Sequence, residues 1–156
     1  MRADTGILRA SSPKVPPAAA AGPMGHSADR SVGVLRVLIV EDESIIAWAL
    51  ESLVQDLGHE VVAVAASGEA GIAAAAEHRP ELILMDINLG RGLDGIESAE
   101  RIQAGGAVPV IFVSAYGDES TRARIHTCVP GAPLLTKPVS ARAILQAVEE
   151  VLGTRH

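Results

Sequence analysis

The stretch LILMDINL, residues 82–89, decides the fold of this chain. Four apolar residues end on a single carboxylate, Asp86, a pattern typical of a buried parallel strand that ends at a functional edge. Three other apolar runs end on polar side chains, namely Glu41 with Asp42 after residues 37–40, Ser114 after residues 110–113 and Lys137 after residues 134–136. The sequence therefore predicts one polar pocket that contains acids, a hydroxyl and an amine.

Apolar strands alternate with amphipathic helices from Val34 onward. The predicted strands cover residues 35–40, 60–65, 81–86, 108–113 and 132–136, and the predicted helices cover residues 43–57, 68–78, 94–104, 118–127 and 140–152. Short apolar strands joined by helices form a parallel sheet that is covered on both faces. Because such crossovers are right-handed, the sequence predicts a doubly wound α/β domain with a five-stranded parallel sheet.

Residues 1–33 differ in composition from the rest of the chain. They show no hydrophobic period and place three prolines within the five residues 13–17. Such a composition is typical of a disordered segment. We therefore expect a disordered, Ala/Pro-rich extension with Met24 as an alternative start, followed by one folded domain over residues 34–153. The last predicted helix ends close to His156, so we expect no separate output domain.

Charge is unevenly distributed along the chain. Four basic and two acidic residues give the extension a net charge of +2, whereas nine basic and 17 acidic residues give the remainder −8. An acidic folded domain argues against direct binding to nucleic acid phosphates. The single cysteine, Cys128, fits a reducing compartment. No apolar run approaches the about 20 residues of a membrane helix. We therefore expect a cytoplasmic protein that binds neither nucleic acid nor membrane.

The predicted pocket has the chemistry needed for phosphoryl transfer. Three carboxylates at one sheet edge, Glu41, Asp42 and Asp86, repel one another and require a cation. Mg²⁺ is a hard cation that prefers such oxygen ligands. Lys137 adds positive charge and Ser114 adds a hydrogen-bond donor, which together suit a phosphoryl group. A carboxylate can itself be the nucleophile and form an acyl phosphate.

Four motifs together resemble the receiver domain of bacterial two-component response regulators. They are VLIVEDE (37–43), LILMDINL (82–89), VIFVSAYGD (110–118) and LLTKPV (134–139). The resemblance covers residues 35–152, and spacings of 44, 28 and 23 residues separate Asp42, Asp86, Ser114 and Lys137. Each motif alone is weak, but all four in order are specific. The resemblance implies a flavodoxin-like (βα)5 fold of the CheY-like type with strand order 2-1-3-4-5.

The resemblance also implies a role for each pocket residue. Asp86 would accept a phosphoryl group from a phosphohistidine on a sensor histidine kinase or a histidine phosphotransfer protein. The implied Mg²⁺ ligands are Asp42, Asp86, the backbone carbonyl of Asn88 and, through water, Glu41. Ser114 and Lys137 would bind the phosphoryl group, and the peptide bond between Lys137 and Pro138 is usually cis in this family.

The sequence departs from the receiver pattern in two places. The loop after Asp86 has Gly90 where many receivers have proline, and it is one residue longer than the common form. This form of the loop resembles a subgroup of stand-alone and stress-response receivers. Leu134 stands where many receivers carry an aromatic residue that swings inward on activation. Tyr116 could act as the switch instead, or it could be an ordinary exposed loop tyrosine.

Trp48 lies opposite the apolar stripe of the first predicted helix, so we expect it to face solvent. One interpretation is a contact with a partner, because Trp is frequent at binding hot spots. Kinase docking through the first helix is usual in the family that the chain resembles. The alternative is a half-buried Trp that packs along its own helix.

Two other functional classes compete with the receiver interpretation. A phosphatase of the haloacid dehalogenase type also forms an aspartyl phosphate, but it usually has a second aspartate where this chain has Asn88. The other class is an interaction module that is never phosphorylated, against which the full set of pocket residues argues. We predict a stand-alone phosphoacceptor domain rather than an enzyme. Its output would pass through an unknown partner protein or a phosphorelay. The sequence leaves open whether the chain forms a homodimer.

Overall fold

The computed structural model describes residues 7–9 and 33–153. The strands are β1 Ile7–Arg9, β2 Arg36–Val40, β3 Glu60–Ala65, β4 Leu82–Asp86, β5 Val110–Ser114 and β6 Leu134–Thr136. The helices are α1 Ser44–Asp56, α2 Gly68–His78, α3 Gly95–Ala104, α4 Glu119–Cys128 and α5 Ala141–Gly153. Every predicted strand and helix is present, with its ends within two residues of the predicted bounds. None of the described helices combines the length and the apolar character needed to cross a membrane.

The strands form one sheet in the order β1-β3-β2-β4-β5-β6. Strands β2 to β6 are parallel to their neighbours, and counted alone they have the predicted order 2-1-3-4-5. The register places Val40 opposite Met85 and Asp86 opposite Val113. Because parallel strands end at the same edge, the residues that follow β2, β4, β5 and β6 are brought together there.

The N-terminal stretch differs from its prediction at β1. The sequence indicates a disordered extension over residues 1–33, yet Ile7–Arg9 pairs antiparallel with β3, with Ile7 opposite Ala65 and Arg9 opposite Val64. Without β1, β3 would be an edge strand, and its unpaired N–H and C=O groups accept another strand. Such pairing uses backbone groups and needs no hydrophobic period, so the side-chain pattern gave no sign of it. The rest of the predicted extension lies outside the described residues.

Apolar side chains fill both faces of the sheet, because successive strand residues point to opposite sides. One layer packs beneath α2, α3 and α4 and contains Leu38, Val40, Ile83, Met85, Phe112, Ile96, Ala99 and Ile125. The other packs beneath α1 and α5 and contains Val37, Ile39, Leu82, Leu84, Ile111, Leu50, Val54, Ile144 and Val148. Since both faces are buried, the strands read as continuous apolar runs.

Helix α3 begins in direct contact with the backbone at the end of β4. The N–H of Gly95 donates to the carbonyl oxygen of Ile87 at 2.8 Å. A Cβ atom at Gly95 would overlap the carbonyl oxygen of Asp86 and lie 2.8 Å from the Cα of Ile87. Glycine is therefore required at this position for the helix to approach the end of the strand.

His59 closes the opposite end of the sheet between β2 and β3. Its Nδ1 accepts a hydrogen bond from the backbone N–H of Leu35 at 3.0 Å, which requires an unprotonated Nδ1. Burial lowers the pKa of His59 below its usual value. The folded chain therefore favours the neutral imidazole.

We expect Gly95→Ala to lower the free energy of unfolding by about 1–3 kcal/mol, because the added methyl group forces α3 away from β4. Denaturant unfolding followed by circular dichroism measures this change. Gly106→Ala is the matched control, since a Cβ there meets nothing within 4 Å. Equal stability of the two variants would contradict the close approach.

We expect the free energy of unfolding to fall as the pH drops below about 6.5, the pKa of an unfolded histidine. Below that pH the unfolded chain binds a proton at His59 that the folded chain resists, whereas above it neither state is protonated there. Unfolding of wild type and His59→Gln at several pH values measures the difference. The variant should lose this part of the pH dependence, and His126→Gln, at an exposed histidine of α4, should keep it.

Candidate functional site

The residues predicted to share a pocket meet at the C-terminal edge of the sheet. Asp86 is the last residue of β4 and Ser114 the last residue of β5, while Glu41 and Asp42 follow β2. One carboxylate oxygen from each of Glu41, Asp42 and Asp86 lies within 4.8 Å of the other two. The strand order predicted from the sequence thus assembles the acidic cluster.

Burial divides the three acids. Glu41 is fully buried and Asp86 is 3% exposed, whereas Asp42 is exposed to solvent. Burial raises the pKa of Asp86, the charge of Lys137 opposes this rise, and the charge of Asp42 adds to it. The backbone N–H of Asn88 stabilises the ionised form of Asp86. The candidate nucleophile is therefore buried, but the carboxylate of its neighbour Asp42 is exposed to solvent.

Lys137 connects the two buried acids. Its Nζ donates to Oδ1 of Asp86 at 3.3 Å and lies 3.1 Å from Oε1 of Glu41. Its backbone N–H donates to the carbonyl oxygen of Ser114 at 2.8 Å, and its peptide bond to Pro138 is cis, as the family resemblance implied. Burial by itself would lower the pKa of Lys137, but its contacts with Glu41 and Asp86 raise that pKa above its usual value.

Glu41 contains a buried oxygen that lacks a hydrogen-bond donor. Its Oε2 accepts from the backbone N–H of Glu43 at 3.2 Å. Its Oε1 faces Lys137 at ion-pair distance but without hydrogen-bond geometry. Burial, together with the charge of Asp86, raises the pKa of Glu41 to about 7, against the opposing effect of Lys137. Burying such an oxygen without a donor is costly, so this position favours an additional cation.

The donor set fits Mg²⁺. Three clustered carboxylates offer hard oxygen ligands, one of them with a buried oxygen that accepts no hydrogen bond. Asp42 and Asp86 would hold the ion directly, and Glu41 would act on it through water. These metal roles and the predicted contribution of the Asn88 carbonyl stay predictions.

Ser114 ends β5, the strand next to the one that Asp86 ends. The residue is buried, and its Oγ accepts the backbone N–H of Tyr116 at 3.1 Å. The hydroxyl hydrogen keeps the freedom to rotate toward a new acceptor. The predicted role of Ser114 as a hydrogen-bond donor to a phosphoryl group stays a prediction.

Neither Leu134, at the usual switch position, nor Tyr116, the possible substitute, places an aromatic ring inside the domain. The side chain of Tyr116 is 72% exposed, and Leu134 is half-buried in β6. The structure therefore places the only tyrosine at the surface beside the pocket. Its predicted role as a switch stays a prediction.

A hydrogen bond from the loop after Asp86 to Glu69, which the sequence did not indicate, holds this loop. Gly90 and Gly92 have φ values of 75° and 80°, which favour glycine. Glu69, at the start of α2, accepts the backbone N–H of Leu93 at 3.2 Å through Oε2. A Cβ at Gly92 would lie 2.7 Å from that same oxygen. An acid in a first helical turn is common, so nothing in the sequence distinguished Glu69.

Trp48 faces solvent, as predicted. Its side chain is 64% exposed, and the neighbouring Ile45, three residues earlier on α1, is 80% exposed. Residues spaced by three lie side by side on a helix. Together they form an apolar patch near the start of α1, which begins two residues after Asp42.

Comparison with known proteins gives the family. A family model described as the response regulator receiver domain matches residues 37–149. The chain is 44% identical over 81 residues to the phyllosphere-induced regulator PhyR of Methylorubrum extorquens, which covers 51% of this chain and 30% of PhyR. It is 32% identical over 114 residues to the transcriptional regulatory protein PdtaR of Mycobacterium tuberculosis, which covers 73% of this chain and 55% of PdtaR. The chain spans between about a third and just over half the length of these curated relatives.

Solved structures agree with this match. The receiver domain of PhyR from Erythrobacter litoralis aligns with a TM-score of 0.67 and 36% identity over 78% of this chain and 92% of that domain. The signal receiver domain of a modulated diguanylate cyclase from Desulfovibrio desulfuricans G20 gives a TM-score of 0.72 and 34% identity, over 78% of this chain and 96% of that domain. On its matched sequence, its strand order and its acid, hydroxyl and lysine positions, the chain belongs to the response regulator receiver domain family.

Proposed function

We propose that this chain accepts a phosphoryl group on Asp86 from a sensor histidine kinase or a histidine phosphotransfer protein. The observation that carries this proposal is the buried Asp86 carboxylate with Lys137 Nζ at 3.3 Å, inside the acidic cluster. A carboxylate in this setting is a nucleophile whose surroundings neutralise the charge of an incoming phosphoryl group.

The transfer is an in-line displacement. An oxygen of Asp86 attacks the phosphorus atom of the phosphohistidine, the new O–P bond forms as the P–N bond breaks, and the leaving imidazole recovers its electron pair and takes up a proton. Lys137 keeps Asp86 ionised and then interacts with the phosphoryl oxygens. Ser114 rotates its hydroxyl to donate to one of them. Mg²⁺, when bound, would neutralise negative charge on the phosphoryl group.

The phosphoryl group ends on the chain itself rather than on a released product. The chain is accordingly a signalling domain, in which phosphorylation of Asp86 changes the affinity for an output protein or feeds a relay. We place this exchange in the cytoplasm and require no contact with nucleic acid or membrane. The acidic charge of the folded domain supports a protein partner over a polyphosphate one.

The apolar patch of Ile45 and Trp48 is the proposed kinase contact. It lies on the helix that begins beside Asp42, so a partner seated there has its phosphohistidine within reach of the pocket. Exposed Trp side chains supply large apolar contact area in protein interfaces.

We expect acetyl phosphate with Mg²⁺ to add one phosphoryl group to the wild-type chain, and hydroxylamine to remove it, as for an acyl phosphate. Intact-mass spectrometry measures both steps. Asp86→Asn should abolish labelling, because an amide is not a nucleophile toward phosphorus, and Asp56→Asn on α1 should label as wild type does. Equal labelling of Asp86→Asn would refute the acceptor assignment, and steady release of phosphate from many esters would indicate a phosphatase.

We expect Trp48→Ala to slow phosphotransfer from a histidine kinase that phosphorylates the wild-type chain by about tenfold or more, as for loss of a hot spot. Labelling by acetyl phosphate should not change, because a small donor needs no docking surface. Leu145→Ala, at an exposed apolar residue of α5, is the matched control. If Trp48→Ala and Leu145→Ala receive phosphate from the kinase equally fast, the patch is not the docking surface.

A further inference from the structure

Asp94 links the acceptor end of the sheet to helix α4 through its two carboxylate oxygens. Oδ1 accepts the backbone N–H of Glu97 at 2.9 Å, and the Glu97 side chain accepts the N–H of Asp94 in return at 3.0 Å. This capping box fixes the start of α3. Oδ2 makes an ion pair of 2.9 Å with Nη2 of Arg124 on α4. One side chain thus contacts two helices through separate oxygens.

The start of α3 follows the backbone of the acceptor strand. Gly95 donates to the carbonyl oxygen of Ile87, one residue after Asp86, and there is no room for a Cβ between helix and strand. A shift of the backbone beyond Asp86 therefore moves Gly95 and, with it, Asp94. Such a shift displaces the carboxylate that pairs with Arg124 of α4.

Helix α4 is weakly attached to the rest of the domain. Among its described residues, Ile125 alone is buried. The side chain of Arg122 donates to the carbonyl oxygen of Gly117, two residues before α4 begins, so this hydrogen bond is local to α4. A helix with so little buried apolar surface opens easily, and a single ion pair can change how often it does so.

In many receivers an inward-swinging aromatic side chain responds to activation, but no residue in the described part of this chain is placed to act in that way. The Tyr116 ring faces solvent, Phe112 is fully buried in the core, and β6 carries Leu134 and Leu135. Besides the apolar packing of Ile125 in the layer that contains Met85, the ion pair of Asp94 with Arg124 connects the end of the acceptor strand to α4.

We propose that the ion pair between Asp94 and Arg124 holds α4 in its resting position and is released when Asp86 is phosphorylated. This inference rests on the proposed function for its trigger. Phosphorylation replaces the carboxylate charge of about −1 at Asp86 by an acyl phosphate charge of about −1.5 to −2 and adds bulk and acceptor oxygens, to which Lys137 and Ser114 respond. The loop and the start of α3 then shift, and Arg124 loses its partner. The side chains are 32% and 45% exposed, so the pair is weak enough to break during signalling.

We call the ion pair between Asp94 and Arg124 the resting clamp. Hydrogen–deuterium exchange of the full chain, followed in peptides that cover residues 119–128, tests whether it holds α4. Without phosphorylation, we expect α4 to exchange about threefold faster in Asp94→Asn and Arg124→Gln than in wild type, the scale of an exposed ion pair. Asn is as good an N-cap as Asp, so Asp94→Asn removes the charge but keeps α3, and peptides from residues 95–104 should not change. Arg124→Lys should exchange like wild type, because it keeps the charge.

Two further comparisons sharpen the test. Arg142→Gln, at an exposed arginine of α5, is the matched control and should leave α4 unchanged. Acetyl phosphate with Mg²⁺ should raise α4 exchange in wild type to the level of Arg124→Gln, and it should change the variant little. Labelling of Asp86 should be equal in both proteins.

The results distinguish a failure of the resting clamp from a failure of the proposed function. Equal resting exchange of α4 in Arg124→Gln and wild type would overturn the clamp, as would unchanged α4 exchange in a wild-type chain that is fully labelled. A wild-type chain that takes up no phosphoryl group contradicts the proposed function instead, and the resting comparison still decides whether the ion pair holds α4.

Discussion

The balance of charge around Asp86 is the constraint on which the rest of this domain depends. Two buried carboxylates share one ammonium group, that of Lys137, which lies within 3.3 Å of both Asp86 and Glu41. Burying one more negative than positive charge is unfavourable, and burial together with the charge of Asp86 accordingly raises the pKa of Glu41 to about 7. The site therefore favours an additional cation in the resting state and favours ligands that bring cations or hydrogen-bond donors with them.

The parallel sheet makes this unfavourable arrangement possible. Apolar layers on both faces hold the strands, so the acids, the serine and the lysine of the site lie together at the one edge where these strands end. The backbone contact of Lys137 with Ser114 fixes the lysine beside β5, and the close approach of Gly95 fixes α3 against β4. Stability comes from the apolar layers, which lets the edge keep a charge arrangement suited to chemistry.

Outside the pocket, the elements differ in how firmly they are held. Helix α5 buries Ile144, Ala147, Val148 and Val151, whereas α4 buries Ile125 alone among its described residues. Local opening free energies follow such differences in buried apolar surface. Under the proposed function, phosphorylation of Asp86 would therefore change α4 most readily, and the weak ion pair of Arg124 with Asp94 would set that balance.

The sequence by itself determined the parallel sheet and the pocket at its edge, because apolar runs that end on Asp86, Ser114 and Lys137 carry a one-dimensional signal. The strand order followed from the resemblance of its four motifs to receiver domains. Three features came from the tertiary structure alone. They are the pairing of Ile7–Arg9 with β3, the buried oxygen of Glu41 that accepts no hydrogen bond, and the ion pair of Arg124 with Asp94. Backbone pairing at an edge leaves no side-chain period. Whether single polar atoms make contact depends on differences of a few tenths of an ångström in the distance between residues far apart in sequence. No local sequence pattern records such differences.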